Sequence, residues 1–180
     1  RIPMSAVMSP VQVRPATLRD AKAIATIHCA AWQTTLEKII PHDHLRTLSV
    51  EKRQAYWREA IDFCEPQVHV ATHAANKVVG FVAYDRSRDK GTPPSCGEIW
   101  AIYVEPSKWA TGVGLALWDA ARDGLKEEGC TKVTVWAHLR NERAMRFLEV
   151  AGFKREMNTA KTTEINTVRL EEMRLHRDVN

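Results

Sequence analysis

Ile102-Tyr103-Val104-Glu105-Pro106-Ser107-Lys108-Trp109-Ala110-Thr111-Gly112-Val113-Gly114 reads as a strand, a short loop, a pair of glycines and the start of a helix. A glycine loop entering a helix leaves several backbone N–H groups aimed at one spot, and the helix dipole adds partial positive charge there. Such a spot suits a pyrophosphate. The same glycines would also serve a tight turn with close helix packing, and a lone Gly-x-Gly does not separate the two readings. Spacing excludes two rival phosphate motifs. A Walker A loop needs Gly-Lys-Ser/Thr where Gly114 is followed by Leu115-Ala116-Leu117. A dinucleotide fingerprint needs a small residue where Leu117 stands and an acidic one at the end of the next strand, which here closes on Ala137-His138-Leu139.

Outward from this loop, the chain alternates strand and helix patterns. Upstream, Val11–Ala16 alternates until Pro15, and Asp20 opens a helix carrying Ala23, Ile24, Ile27, Ala30 and Ala31 at helical spacing to about Trp32. A second helical region follows Pro41, clearest over Val50–Ile61. Strands Val68–His73 and Val78–Tyr84 flank Ala74-Ala75-Asn76-Lys77, with Asn76 suited to a hairpin turn, and Glu98–Val104 is the strongest strand of all. Downstream, Gly112–Glu128 is a helix capped by Gly129, Thr131–Ala137 a strand, and Asn141 the cap of a helix bearing Ala144, Phe147, Leu148 and Ala151. Weaker strands fit Phe153–Met157 and Ile165–Leu170. The order predicts one mixed α/β sheet with helices on both faces. Residues 11–175 are read as the domain, 1–10 as an N-terminal extension and 176–180 as a C-terminal tail.

At 180 residues with 44% hydrophobic and 27% charged residues, the composition is that of an ordinary globular domain. No apolar run approaches a membrane span of about 20 residues, and Arg1-Ile2-Pro3-Met4 does not open a basic-then-apolar leader, so the expected location is the cytoplasm. Four scattered cysteines have no metal or disulfide spacing. His42-Asp43-His44 is a close histidine pair without a third ligand of known spacing, so no metal is expected. A net charge of +4 welcomes an anionic ligand and is too dispersed to imply nucleic acid; neither nucleic acid nor membrane is an expected partner.

Two signatures in order resemble the Gcn5-related N-acetyltransferases. The first is Val104-Glu105-Pro106 followed by Trp109-Ala110-Thr111-Gly112-Val113-Gly114; the second is Asn141-Glu142-Arg143-Ala144 with Phe147 and Gly152-Phe153. Gly80-Phe81, Arg88-Asp89, Gly97–Val104 and Trp109 further resemble a bacterial subgroup with Trp in place of the usual Gln or Arg. The resemblance implies a largely antiparallel sheet with splayed central strands, acetyl-CoA as co-substrate, and acetyl transfer to a primary amine of a small molecule or peptide by direct attack in a ternary complex. It is compatible with a homodimer. It implies cofactor contacts from Ile102, Tyr103, Val104, Trp109, Ala110, Thr111, Gly112, Val113, Gly114, Asn141 and Arg143, with pantetheine lying against strand 102–104 like an extra strand.

An alkyl amine is mostly protonated at pH 7, so the reaction needs a proton acceptor. Glu98, at a position often acidic in the resembled family, is the candidate base; the plainer reading is a carboxylate paired with a nearby Lys or Arg. The oxyanion would meet a backbone N–H near Val104. Leu148 stands where the family often places a tyrosine that protonates the leaving thiolate, which leaves Tyr103 or His138 to assist. By resemblance the first two helices overhang the acceptor, so Trp32, Thr34 and Trp57 are candidate substrate contacts, with plain core burial the alternative for the two tryptophans. The missing tyrosine also motivates a reading of another class, a CoA-binding sensor or partner-binding module with little catalysis.

Overall fold

A computed structural model describes residues 11–37, 49–165 and 168–180. Its strands are β1 (Gln12–Pro15), β2 (Gln67–His73), β3 (Lys77–Arg86), β4 (Cys96–Val104), β5 (Lys132–His138), β6 (Lys154–Arg155), β7 (Lys161–Ile165) and β8 (Val168–Asp178). Helices among the described residues are α1 (Ala21–Leu36), α2 (Val50–Phe63), α3 (Val113–Glu127) and α4 (Glu142–Val150). One sheet runs in the order β1-β2-β3-β4-β5-β8-β6, with β7 on β8. Among the described strands only β4 and β5 pair in parallel; the other neighbours are antiparallel.

Each helix packs by its apolar stripe. One core holds Val113, Leu117, Trp118, Ala121 and Leu125 of α3 and Met145, Leu148 and Ala151 of α4 against Val82, Ile99, Val133 and Val135 of the sheet. The opposite core joins Ile24 and Ile27 of α1 and Trp57 and Ala60 of α2 to Val68, Val70, Phe81 and Ala83. The predicted hairpin turn forms as expected, with Ala75 and Asn76 both left-handed at φ 59° and 62°.

The feature that makes a site is the parting of β4 from β5. They pair only from Cys96↔Lys132 to Ile99↔Val135. On the other side of β4, pairing to β3 slips between Ala83 and Tyr84, which face Ala101 and Ile99, so Trp100 is an extra residue in the strand. Such a bulge bends and twists the strand that carries it. Beyond it, β4 stays with β3 and leaves β5, and the expected splay is present.

The C-terminal reading needs correction. Of residues 165–170, read as one strand, Ile165 ends β7 and Val168–Leu170 begin β8. The segment read as a tail from 176 continues β8 to Asp178, and Val179 is buried with its N–H bonded to Thr131 O at 2.9 Å. An antiparallel partner for all of β5 requires that length: Lys132 pairs with Asp178 and His138 with Glu172. The second helical region is present as α2, while residues 41–48 at its start, with the His42-Asp43-His44 pair, lie outside the described residues.

Candidate active site

The gap between β4 and β5 is a cavity of about 390 Å³. Its walls are Ile99 to Val104 on one side, Val135 to His138 on the other, and α4 residues Ala144, Phe147 and Leu148 along one flank. At its outer end stand Lys108, Trp109, Ala110, Gly112 and Gly114. A cleft that is largely apolar with a few convergent polar groups has the make-up of a small-molecule site.

Backbone builds the outer end. Gly112 caps α3 with φ 89°, a left-handed conformation natural to glycine, and Ala110 also has a positive φ of 60°. Gly114 serves a different need: a Cβ there would lie 2.9 Å from Phe147, so its bare backbone lets α4 approach α3. Val113, expected at the cofactor, points into the core at 1% exposure; what it offers is its N–H in the first turn of α3. The Thr111 side chain is exposed and bonds Lys108 O. Asn141 accepts from Ala144 N–H at 3.1 Å as the cap of α4 and also lines the cleft. Trp109 donates its indole N–H to Val104 O at 2.9 Å, and the Arg143 guanidinium lies 4.0 Å from the centre of its ring. This stack brings a cation from α4 to a loop position whose own side chain carries none.

Side chains from distant elements build the inner end. Tyr103 and His138 stand on the two walls. Trp32 of α1 links them, donating its indole N–H to Tyr103 Oη at 2.8 Å with its ring 6.2 Å from His138. Behind Tyr103, His28 stacks at 4.8 Å and accepts from the buried Trp57 indole N–H at 3.3 Å. Burial drives the His28 imidazole down to about 3, with Arg53 adding to the effect, so it is neutral. Burial raises the Tyr103 hydroxyl, opposed by the Trp32 hydrogen bond. Because Trp32 occupies the oxygen as a donor, the Tyr103 hydrogen is left to bond elsewhere, and no acceptor for it occurs among the described residues.

Three sequence candidates stand apart from this cluster. Glu98 is 1% exposed, does not line the cleft, and accepts both the Arg88 N–H at 2.9 Å and the Arg88 guanidinium, which is the plainer reading of that residue. Thr34 is exposed and turns its hydroxyl back to Ala30 O at 2.9 Å, within its own helix. Trp57 is a core residue at 2% exposure that does not line the cleft and meets the site from behind, through His28 and Phe81. Sequence reasoning missed His28 and Glu172. Both are brought in by packing and strand register, which leave no local motif.

A family model described as "Acetyltransferase (GNAT) family" matches residues 29–153. The chain belongs to the GNAT family. It is 30% identical over 167 residues, 92% of this chain and 91% of the relative, to the uncharacterized N-acetyltransferase YuaI of Bacillus subtilis (strain 168). It is also 30% identical over 101 residues to a mycothiol acetyltransferase of Kocuria rhizophila, 54% of this chain but 33% of that protein. Among solved structures, the YncA protein of Salmonella typhimurium with its cofactor acetyl-CoA aligns at TM-score 0.72 and 20% identity, over 96% of this chain and 95% of that one. PaiA N-acetyltransferase of Thermoplasma acidophilum with coenzyme A aligns at 0.71 and 17%, over 91% and 98%. These structural likenesses carry the fold; the family match carries the activity, and this GNAT chain is an acetyl-CoA-dependent N-acetyltransferase. Among the described residues no helix is long and apolar enough to cross a membrane.

Proposed function

We propose that this enzyme acetylates a primary amine of a small molecule or peptide by direct attack on the thioester within a ternary complex. The observation that carries the reading is the continuity of the cleft: it runs from a helix-capping glycine loop to a tyrosine and a histidine on opposite walls. At the outer end the N–H groups that open α3, together with Lys108 and the Arg143–Trp109 stack, hold the phosphates of acetyl-CoA. Asn141 adds a side-chain amide there. Between the walls the unpaired edge of β4 from Ile102 to Val104 offers backbone groups to the pantetheine amides.

At the inner end, His138 takes the ammonium proton and frees the amine lone pair. The nitrogen–carbon bond forms as the carbonyl oxygen gathers charge, which a backbone N–H of the splayed β4 stretch receives. As the carbon–sulfur bond breaks, the new amide nitrogen releases its second proton to solvent and Tyr103 gives its hydroxyl proton to the sulfur, doing the work that Leu148 cannot. The Trp32 indole N–H then steadies the phenolate oxygen until a proton returns from solvent. Placing the base at His138 replaces the earlier expectation of Glu98, whose carboxylate is occupied by Arg88 away from the cleft.

The test is release of free CoA from acetyl-CoA against a panel of amines: polyamines, amino acids, aminoglycosides and short peptides. Acetyl transfer to at least one member, lost in His138→Ala and Tyr103→Phe, is the expected result. Tight acetyl-CoA binding with no release above hydrolysis for any acceptor would instead favour a CoA-binding sensor.

A further inference from the structure

His138 and Glu172 are direct cross-strand partners at the end of the β5–β8 pairing, 34 residues apart in sequence. Both side chains are 18% exposed, and Glu172 Oε1 lies 3.7 Å from His138 Nδ1. That distance exceeds a hydrogen bond, and no other hydrogen bond reaches this buried nitrogen among the described residues. A buried nitrogen beside a carboxylate has an electrostatic preference. As a lone pair it would face negative charge at close range, whereas as an N–H it would point a positive hydrogen at an acceptor. The second arrangement leaves the lone pair on Nε2.

We propose that Glu172 is a positioning residue that keeps neutral His138 in the Nδ1–H tautomer, so that Nε2 is the nitrogen able to take the acceptor's proton. This rests on the reading of His138 as base. On protonation both imidazole nitrogens carry hydrogen, and the Nδ1–H···Glu172 contact becomes a charged pair, which lowers the cost of making a cation in a buried place. Burial holds His138 below the ordinary imidazole range, and Glu172 opposes it by pulling upward. Among the described residues, Trp32 of α1 and, across the cleft, Tyr103 of β4 also face the ring. Lys161 of β7 stands 4.0 Å from the other Glu172 oxygen, so it steadies the carboxylate and does not compete for the oxygen that faces His138.

Nitrogen NMR of protein labelled in its imidazole rings tests this without any acceptor, His138 being assigned by its absence in His138→Gln. In the wild type at high pH, Nδ1 is expected to carry the hydrogen. Glu172→Gln should shift the tautomer toward Nε2–H and move the His138 titration to lower pH, while Glu172→Asp keeps part of the effect. An Nε2–H tautomer in the wild type, or the same tautomer and midpoint in Glu172→Gln, would overturn the proposal. With an acceptor from the amine panel in hand, Glu172→Gln should lower kcat roughly 10-fold or more and move the acid limb of kcat/KM to lower pH, leaving the KM for acetyl-CoA unchanged. An unmoved acid limb counts against Glu172. Absence of transfer to every amine would sink the acetyltransfer reading, while the tautomer measurement still decides the His138–Glu172 pairing.

Discussion

The two ends of the cleft are made of different material. The outer end is mostly backbone: a glycine at φ 89° that caps α3, free N–H groups in its first turn, and an asparagine cap on α4. The inner end is mostly side chains, with Trp32 and His28 from α1, Tyr103 from β4, His138 from β5 and Glu172 from β8. Backbone recognition leaves a short motif in the sequence because consecutive residues produce it. Side-chain recognition assembled across four elements leaves none. On the proposed reading the outer end holds the cofactor and the inner end meets the acceptor.

The largest effect is expected where backbone geometry does the binding. Gly112→Val places a β-branched residue at a left-handed position and should turn the N–H groups away from the phosphates. Losing two charge-assisted hydrogen bonds costs about 3–6 kcal/mol, so acetyl-CoA affinity should fall roughly 10²–10⁴-fold by calorimetry. Unchanged affinity would show that the loop does not carry the phosphates.

Next comes the inner end, where a single hydroxyl is at stake. Tyr103→Phe keeps the stack on His28 and removes the proton, so kcat should drop about 100-fold with acetyl-CoA binding intact. A kcat within a factor of two of wild type would remove Tyr103 from the thiolate's path.

These two predictions sit on opposite sides of what the sequence made readable. The strands, helices and glycine loop from 98 to 153 follow from periodicity, caps and spacing, and the structure reproduces them. Gly114 carries both readings of the glycine pair: its missing Cβ makes room for Phe147, while its N–H stays at the outer end of the cleft, and the sequence does not separate the two because helix packing and phosphate binding ask for the same residue. Glu98 looked like a base because sequence shows a carboxylate's position but not its company; Arg88, 10 residues upstream, closes on it. Glu172 was invisible because strand register is a tertiary fact. The last strand was misjudged because charged residues such as Arg169, Glu171 and Arg177 break the apolar run, although Leu170, Met173 and Leu175 are buried.

A smaller effect should come from the Arg143–Trp109 stack, a side-chain supplement to the backbone end. Arg143→Gln should weaken acetyl-CoA binding about 5- to 10-fold, and Trp109→Leu somewhat less. If the two act together, the double variant should lose less than the product of the single losses. Strictly multiplicative losses would mean that each contacts the ligand independently.

The effect smallest at neutral pH concerns stability and again separates the ends. His28 is held neutral with its pKa pushed down to about 3, against about 6.5 when unfolded. Between these values the unfolded chain binds a proton that the native chain refuses, so stability falls as pH drops from about 6.5 toward 3, by at most about 1.4 kcal/mol per pH unit. His28→Asn keeps an acceptor for the Trp57 indole and removes the titration. Its denaturation midpoints should fall less steeply with acid than those of the wild type, and parallel slopes would contradict the neutral buried imidazole.

The central claim, that one cleft carries acetyl-CoA from the glycine loop to Tyr103 and His138, is met most directly by a crystal structure with acetyl-CoA bound. The account predicts phosphates on the N–H groups at 113–115, pantetheine between β4 and β5 beyond the Ile99–Val135 pair, and the thioester sulfur within hydrogen-bond reach of the Tyr103 hydroxyl. A thioester lying against Glu98 and Arg88, or a cofactor seated outside the β4–β5 gap, would contradict it.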